Sequence, residues 1–159
     1  AGDGSKHLLI LSFESADHDK TQSLNRALEI CAENKGIFEV SKESSDSHRS
    51  GSSGNWRNSF IKAPYLRESF TRRGIIQDTF ETAITWDRSF NFINDVKEHT
   101  AKAILKITGK PSLVTCRITH SYPDGLAPYF TFGAFATPET MLEVWKEIKL
   151  ATNEICTSN

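Results

Sequence analysis

The sequence has few cysteines, almost no net charge and no long apolar run. Its three cysteines, Cys31, Cys116 and Cys156, lie far apart in 159 residues. They form no Cys-x-x-Cys pair and show no Cys/His spacing typical of zinc, which favours free, partly buried thiols in a reducing compartment. A net charge of −1 shows no excess of basic residues that would indicate binding to nucleic acid or to an anionic membrane. No apolar run approaches the roughly 20 residues that span a bilayer, so no transmembrane segment is expected.

The start of the chain lacks the features of a signal peptide. Residues 1–5 contain no basic region and precede no long apolar region, and no initiator Met is present. The length is typical of one globular domain that is large enough to bury a hydrophobic core. We therefore expect an intracellular domain, spanning 1–159, cut from within a longer protein.

Apolar periodicity predicts alternating strands and helices. Strands are expected over 8–13, 37–40, 75–86, 113–119 and 126–136, and helices over 17–35, 56–73, 87–108 and from 137 onward. Pro123-Asp124-Gly125 predicts a hairpin turn between the last two strands. One sheet covered by helices on one side is the economical packing, so the fold class is α+β, a ferredoxin-like antiparallel sheet with helices packed on one face.

Two segments interrupt this pattern. Residues 41–55 are Ser-rich and contain no apolar residue, which predicts a mobile surface loop. Pro64 falls inside the helix predicted over 56–73, where it should kink or restart the helix because proline cannot donate to the carbonyl four residues earlier.

The predicted hairpin separates apolar from polar side chains. Alternation puts Phe130 and Phe132 on the face that meets the helices, and it puts Tyr129 and Arg117 on the other face with Thr79. Such a polar face is often simply solvated, but it can also meet another domain across an active site.

Two further residues are candidates for chemistry. Arg67 follows the proline by three positions and can clamp a carboxylate or phosphate bidentately, although it can equally be a surface arginine. The five histidines have no ligand spacing, so no metal site is expected. His120 alone, at a strand end beside the turn, is retained, with a solvated turn histidine as the alternative.

An ordered set of short motifs resembles the alkylglycerone-phosphate synthases, flavoenzymes of the vanillyl-alcohol-oxidase-like superfamily. The motifs are Tyr65-Leu66-Arg67, Phe80-Glu81-Thr82, Trp86-Asp87-Arg88, Thr115-Cys116-Arg117-Ile118-Thr119, Tyr122, Gly125 and Tyr129-Phe130. The resemblance covers nearly the whole chain. It implies the FAD-linked oxidase C-terminal domain type of fold, and a cap domain that closes over a flavin.

The resemblance also implies a reaction and residue roles. These enzymes exchange the acyl chain of acyl-dihydroxyacetone phosphate for a fatty alcohol. Tyr129 matches the catalytic tyrosine and Arg67 an active-site arginine, while Arg117 and His120 are expected to face the substrate or cofactor. Because phenols have a pKa near 10, a catalytic tyrosine benefits from a cationic or hydrogen-bonded setting. The enzyme would be peroxisomal in a eukaryote and cytoplasmic in a bacterium, and a homodimer stays open.

Departures from the family pattern limit what this chain should do alone. The FAD-binding domain, an arginine-bearing stretch before the first strand and a downstream histidine run are absent. FAD should therefore be bound mainly by the missing domain, which would be the partner of this one, and the fragment should be inactive.

Two alternative functions remain. Related flavin dehydrogenases of 2-hydroxy acids carry Gly-His-x-Gly-Asp-Gly-Asn-x-His at this hairpin. Here His120 and Asp124-Gly125 are present, but Tyr129 stands about where the second histidine would. This favours the synthase over a hydroxy-acid oxidase. The other alternative is a non-catalytic ferredoxin-like module that binds a small ligand.

Overall fold

A computed structural model describes residues 7–11, 13, 15–40 and 51–158, with only the backbone of 51–56. The chain divides into two compact units, Ala1–Ile61 and Lys62–Asn159. The first contains α1 (Thr21–Glu33), and α2 (Gly51–Thr71) crosses the boundary. The elements of the second are β1 (Ile75–Glu81), β2 (Ile84–Thr85), α3 (Trp86–Thr108), β3 (Leu113–Ser121), β4 (Gly125–Phe135) and α4 (Met141–Ser158).

Strand β4 is the centre of an antiparallel four-stranded sheet. It pairs with β1 and β2 along one edge and with β3 along the other. β1 and β2 keep one register across their two-residue break, because Glu81 lies opposite Tyr129 and Ile84 lies opposite Leu126. The two short strands therefore act as one interrupted strand. A β-bulge between Ile118 and His120 shifts the register of β3.

The core lies on one face of this sheet. Phe130 and Phe132 of β4 are fully buried, whereas Tyr129 and Thr131 between them are only partly buried. Helices α3 and α4 pack against the apolar face, where Val96 and Ile148 are also buried. The fold is therefore α+β with helices packed on an antiparallel sheet, which confirms the predicted fold class.

Local turn signals position the hairpin and the end of α3 as predicted. β3 and β4 are joined through Pro123-Asp124-Gly125, and the Tyr122 N–H donates to the Gly125 carbonyl at 2.8 Å. Gly109 ends α3 in the left-handed region, with φ of 68°. At the end of α1, Lys35 and not Gly36 has positive φ. Gly36 is needed for another reason: a Cβ there would lie 2.9 Å from the Cys31 carbonyl oxygen.

The two strands predicted near the amino terminus are not formed in the described residues. Residues 7–11, 13 and 37–40 have neither strand nor helix structure, and Leu8 and Ile37 are 84% and 99% exposed. An apolar run becomes a strand only when another strand pairs with it, and neither run has such a partner in the described part of the chain.

Helix α2 also differs from the sequence prediction. It begins at Gly51, inside the range 41–55 predicted to be a loop, and residues 41–50 of that range lie outside the described residues. It continues through Pro64 without interruption, so the predicted restart there is wrong, whereas the alternative, a kink, stays a prediction. Extending or maintaining a formed helix costs much less than starting one, which lets a 21-residue helix include poor helix formers. Within the described residues, no helix is long and apolar enough to cross a membrane.

Candidate functional site

Tyr129 lies on the sheet face opposite the helices, inside a small polar group. Its hydroxyl donates to Thr79 Oγ1 at 3.0 Å, across the β1–β4 pairing. The Arg117 guanidinium lies over the phenol ring, with Cζ 4.4 Å from the ring centroid, since register places Arg117 opposite Tyr129. This cation–π contact fixes the ring while the hydroxyl is held from the other side. The structure thus brings together two of the four predicted site residues, Tyr129 and Arg117.

His120 lies at the end of this polar face. The Thr119 hydroxyl donates to Glu81 Oε1 at 2.6 Å, and His120 Nδ1 lies 3.9 Å from the same carboxylate oxygen. The imidazole stacks near the Tyr122 ring, with centroids 6.3 Å apart, and its side chain is 63% exposed. Glu81 faces Tyr129 in the register, so His120 approaches the site through Glu81 and not by direct contact with Tyr129.

Arg67 is anchored by an acidic residue of the sheet. In the last turns of α2 its Nη2 donates to Asp78 Oδ1 at 3.1 Å. Asp78 is only 15% exposed, whereas the Arg67 side chain is 59% exposed. The other carboxylate oxygen, Oδ2, accepts a hydrogen bond from Trp145 Nε1 at 2.6 Å and lies 3.5 Å from Lys149 Nζ. Lys149 also donates to the Thr79 carbonyl at 2.7 Å.

Opposing influences act on the ionisation of Asp78. Burial is the largest single influence and raises the pKa of this carboxyl. The hydrogen bonds from Trp145 and from the Thr79 backbone, with the charges of Lys149 and Arg67, together outweigh it and bring the pKa below its usual value. Asp78 is thus a carboxylate at neutral pH, between two cations.

Arg67 and Tyr129 have partners that are neighbours in β1. Arg67 contacts Asp78 and Tyr129 contacts Thr79, and alternation sends these two β1 side chains to opposite faces of the sheet. In the described part of the chain no contact joins Arg67 to Tyr129. That both residues belong to one active site, as the resemblance implies, stays a prediction.

Sequence reasoning missed Asp78 and Trp145. The signal for Asp78 was present, because it occupies a core-facing position of β1 between Ile76 and Phe80. An acidic residue at such a position requires nearby donors, since an unpaired buried carboxylate is strongly disfavoured. Trp145 packs with the apolar residues of α4 and β1, and an apolar pattern does not reveal that its indole N–H is a donor.

A shallow cavity of about 180 Å³ lies on the Tyr129 side of the sheet. It is lined mainly by apolar groups: Phe70, Ile75, Gln77, Leu113, Thr115, Thr131, Phe132 and Gly133. Phe70 belongs to α2, one turn after Arg67, so this helix reaches the sheet at that point.

The described histidine, acidic and cysteine side chains offer neither a metal site nor, at Cys116, a reactive thiol. In the described residues no group of three or more His, Cys, Asp or Glu side chains can hold a metal ion. The three cysteines are unpaired by disulfides. Burial raises the pKa of the Cys116 thiol to about 11, despite opposing effects of Lys97 and a backbone hydrogen bond from Tyr129. Such a thiol is not a nucleophile at neutral pH.

The chain is similar to known proteins over most of its length. The family model described as FAD linked oxidases, C-terminal domain, matches residues 2–156. An alkyldihydroxyacetonephosphate synthase of Caenorhabditis elegans is 34% identical over 93 residues, which is 57% of this chain and 15% of that protein.

Two solved structures of alkyldihydroxyacetonephosphate synthase, in crystal forms P212121 and P1, have TM-scores of 0.58 and 0.55 at 22% and 17% identity. They cover 65% and 83% of this chain, which spans 19% and 24% of theirs. At these identities the structures support the fold alone, and the chain corresponds to only a small part of each relative. The match over residues 2–156 confirms the resemblance inferred from the motifs, and the chain belongs to the family of FAD linked oxidases, C-terminal domain.

Proposed function

We propose that this chain is the substrate-binding cap domain of an FAD-dependent alkyldihydroxyacetonephosphate synthase, which exchanges the acyl group of acyl-dihydroxyacetone phosphate for a fatty alcohol. The observation that carries the proposal is the arrangement around Tyr129. A phenol that is hydrogen-bonded through its oxygen and covered by a guanidinium is held in a single orientation on the sheet face opposite the helices. Family membership supports the use of FAD, and the similarity to an alkyldihydroxyacetonephosphate synthase supports the reaction.

Each site residue has a role that follows from its contacts. Tyr129 would donate and accept the proton exchanged with the leaving and entering oxygens, with Thr79 Oγ1 as its first hydrogen-bond partner. Arg67 uses one N–H group on Asp78, so the remaining donors of its largely exposed fork can bind the substrate phosphate. Arg117 would fix the ring of Tyr129, and His120 would face the substrate from the end of the sheet.

The cavity on the Tyr129 side of the sheet is too small for a whole FAD molecule. The cavity of about 180 Å³ is smaller than the roughly 300–1,000 Å³ of ordinary small-molecule pockets, and FAD is larger than most of their ligands. The open face does offer the Thr79 hydroxyl and the Arg117 guanidinium as donors for the polar edge of a ring system. We therefore assign most FAD contacts to another domain of the full-length protein. When bound, FAD would supply the reactive ring that activates the substrate carbon.

The proposal is tested on the full-length protein and on this chain side by side. The full-length protein should be yellow, and with acyl-dihydroxyacetone phosphate and hexadecanol it should release a free fatty acid and form the alkyl ether, both measured by mass spectrometry. The isolated chain should be colourless and should not quench FAD fluorescence at micromolar concentration.

Two other results would replace the proposal by its alternatives. Reduction of a dye by the full-length protein with a 2-hydroxy acid, without ether formation, would indicate the dehydrogenase. A full-length protein without a flavin spectrum would favour the non-catalytic ligand-binding module.

A further inference from the structure

Asp78 is held by groups from two helices. Its Oδ1 accepts from Arg67 of α2, while its Oδ2 accepts from Trp145 of α4 and lies 3.5 Å from Lys149, also of α4. Trp145 and Lys149 are four residues apart, so both side chains leave the same face of α4. The carboxylate therefore has one orientation, in which Oδ2 faces α4 and Oδ1 is left for Arg67.

The same geometry leaves most N–H donors of the Arg67 guanidinium available for a ligand. One Nη2 bond to Asp78 is the only ion pair of the Arg67 guanidinium among the described residues. Arg67 carries five N–H donors on a long side chain, and without an anchor such a side chain samples many rotamers. An anchor that uses one donor and is itself nearly buried restricts those rotamers without consuming the binding capacity.

Arg72, the first residue after α2, shows what an ordinary surface pair looks like here. Arg72 pairs with Glu68 in the last turn of α2, and both side chains are largely exposed, at 77% and 65%. Such exposed pairs are weak and mobile. The partner of Arg67 differs because it comes from the sheet, is 15% exposed and is fixed by a tryptophan N–H.

We infer that Asp78 is the positioning residue that aims Arg67 at an anionic group of the substrate, and that Trp145 and Lys149 set the orientation of Asp78. The inference rests on the proposed function, in which Arg67 binds the substrate phosphate. Asp78 itself touches no substrate, because its two oxygens are directed at protein groups. Substrate binding at Arg67 is thereby linked to the packing of α4 against β1.

The test is a mutant cycle on the full-length protein. Asp78→Asn keeps the shape of the side chain and removes its negative charge, and Arg67→Ala removes the guanidinium group. Asp78→Asn should lower kcat/KM by about 10- to 100-fold, mainly through KM for acyl-dihydroxyacetone phosphate, as expected for a binding group displaced by about 1 Å. In the Arg67→Ala background, Asp78→Asn should lower kcat/KM by less than about twofold, because Asp78 acts through Arg67. Asp78→Glu, which keeps the charge, should restore part of the loss.

A second readout does not depend on turnover. Phenylglyoxal modifies accessible guanidinium groups, and peptide mass mapping reports each arginine separately. Asp78→Asn should raise the modification rate of Arg67 several-fold while leaving that of Arg72 unchanged, since Arg72 has its own partner on α2. Trp145→Phe, which keeps the ring and loses the N–H, should raise the rate of Arg67 by a smaller factor.

The outcomes separate the inference from the proposed function. If Arg67→Ala lowers kcat/KM but Asp78→Asn changes neither kcat/KM nor the Arg67 modification rate, Asp78 has only a structural role and the inference is overturned. If Asp78→Asn is as harmful in the Arg67→Ala background as in the wild type, Asp78 acts independently of Arg67 and the inference is likewise overturned. If Arg67→Ala has no kinetic effect, the assigned role of Arg67 fails and the inference fails with it.

Discussion

Removing one oxygen atom from Tyr129 separates its chemical role from its structural one. In Tyr129→Phe the ring stays, and so does the Arg117 guanidinium 4.4 Å from its centroid. The variant loses only the hydrogen bond to Thr79 Oγ1 at 3.0 Å. The substitution therefore deletes the proposed proton donor while preserving the packing around it.

The two expected losses differ widely in size. A neutral, partly buried hydrogen bond contributes about 1 kcal/mol to stability, which lowers the Tm of a chain of this length by roughly 2–4 °C. Loss of an acid–base group lowers turnover by about 10²-fold or more, which corresponds to at least roughly 2.7 kcal/mol of activation free energy. The kinetic loss should thus exceed the loss of stability by a clear margin.

Thr79→Val is the matched control. It removes the same hydrogen bond from the other side and leaves the phenol in place. Both variants should melt at similar temperatures, followed by circular dichroism on the chain. In the full-length protein, kcat for ether formation should fall by about 10² in Tyr129→Phe and by less than about tenfold in Thr79→Val. Equal turnover in wild type and Tyr129→Phe, or equal losses in the two variants, would refute the assignment of Tyr129 as the proton-transfer group.

Three further predictions concern the stability and reactivity of the chain. Phe130 is fully buried and its ring is stacked 4.9 Å from that of Phe80, so Phe130→Ala should lower the free energy of unfolding by about 3–5 kcal/mol and the Tm by about 10 °C. The control Phe90→Ala, at a position 77% exposed, should shift the Tm by less than about 2 °C. Because folding lowers the pKa of Asp78 below 3.8, its carboxylate adds stability above that pH and the contribution is lost as pH falls through the folded-state value. Urea titrations of wild type and Asp78→Asn should therefore give different free energies of unfolding at pH 7, and the difference should shrink only as the pH falls below 3.8. A difference that does not change with pH would contradict the direction of the pKa shift. With a pKa of about 11, Cys116 has a thiolate fraction of about one in a thousand at pH 8, so mass mapping should find it unmodified by iodoacetamide in the folded chain and modified in urea.

The hairpin and its two faces could be predicted from sequence because β4 is paired along both edges. In a strand with both edges paired and one face buried, buried apolar side chains must alternate strictly with more exposed ones. Phe130 and Phe132 alternate with Tyr129 in this way. The contact of Tyr129 with Arg117 also needs the β-bulge between Ile118 and His120, because the register set by the turn alone would place Arg117 opposite Phe130. The turn and the period of two were both visible in the residues.

The rest depended on partners that a local pattern does not reveal. The apolar runs at 8–11 and 37–40 have the composition of strands, but strand formation is decided by the presence of a neighbouring edge. Likewise, the anchor of Arg67 lies 11 residues further along the chain, on a strand, and its other donors come from α4. Only the tertiary fold brings Asp78, Trp145 and Arg67 together.

The central position of β4 also sets an order of assembly. Its pairing with β3 closes a short turn, whereas the contact between Tyr129 and Thr79 of β1 joins residues 50 positions apart, with the whole of α3 between them. Closing the longer loop has the larger entropic cost, so the β3–β4 hairpin should form before β1 docks onto it. The polar group around Tyr129 includes residues from both sides of β4, and it is therefore completed only in the later of these two steps. Partial unfolding that releases β1 would dismantle the site while the hairpin persists.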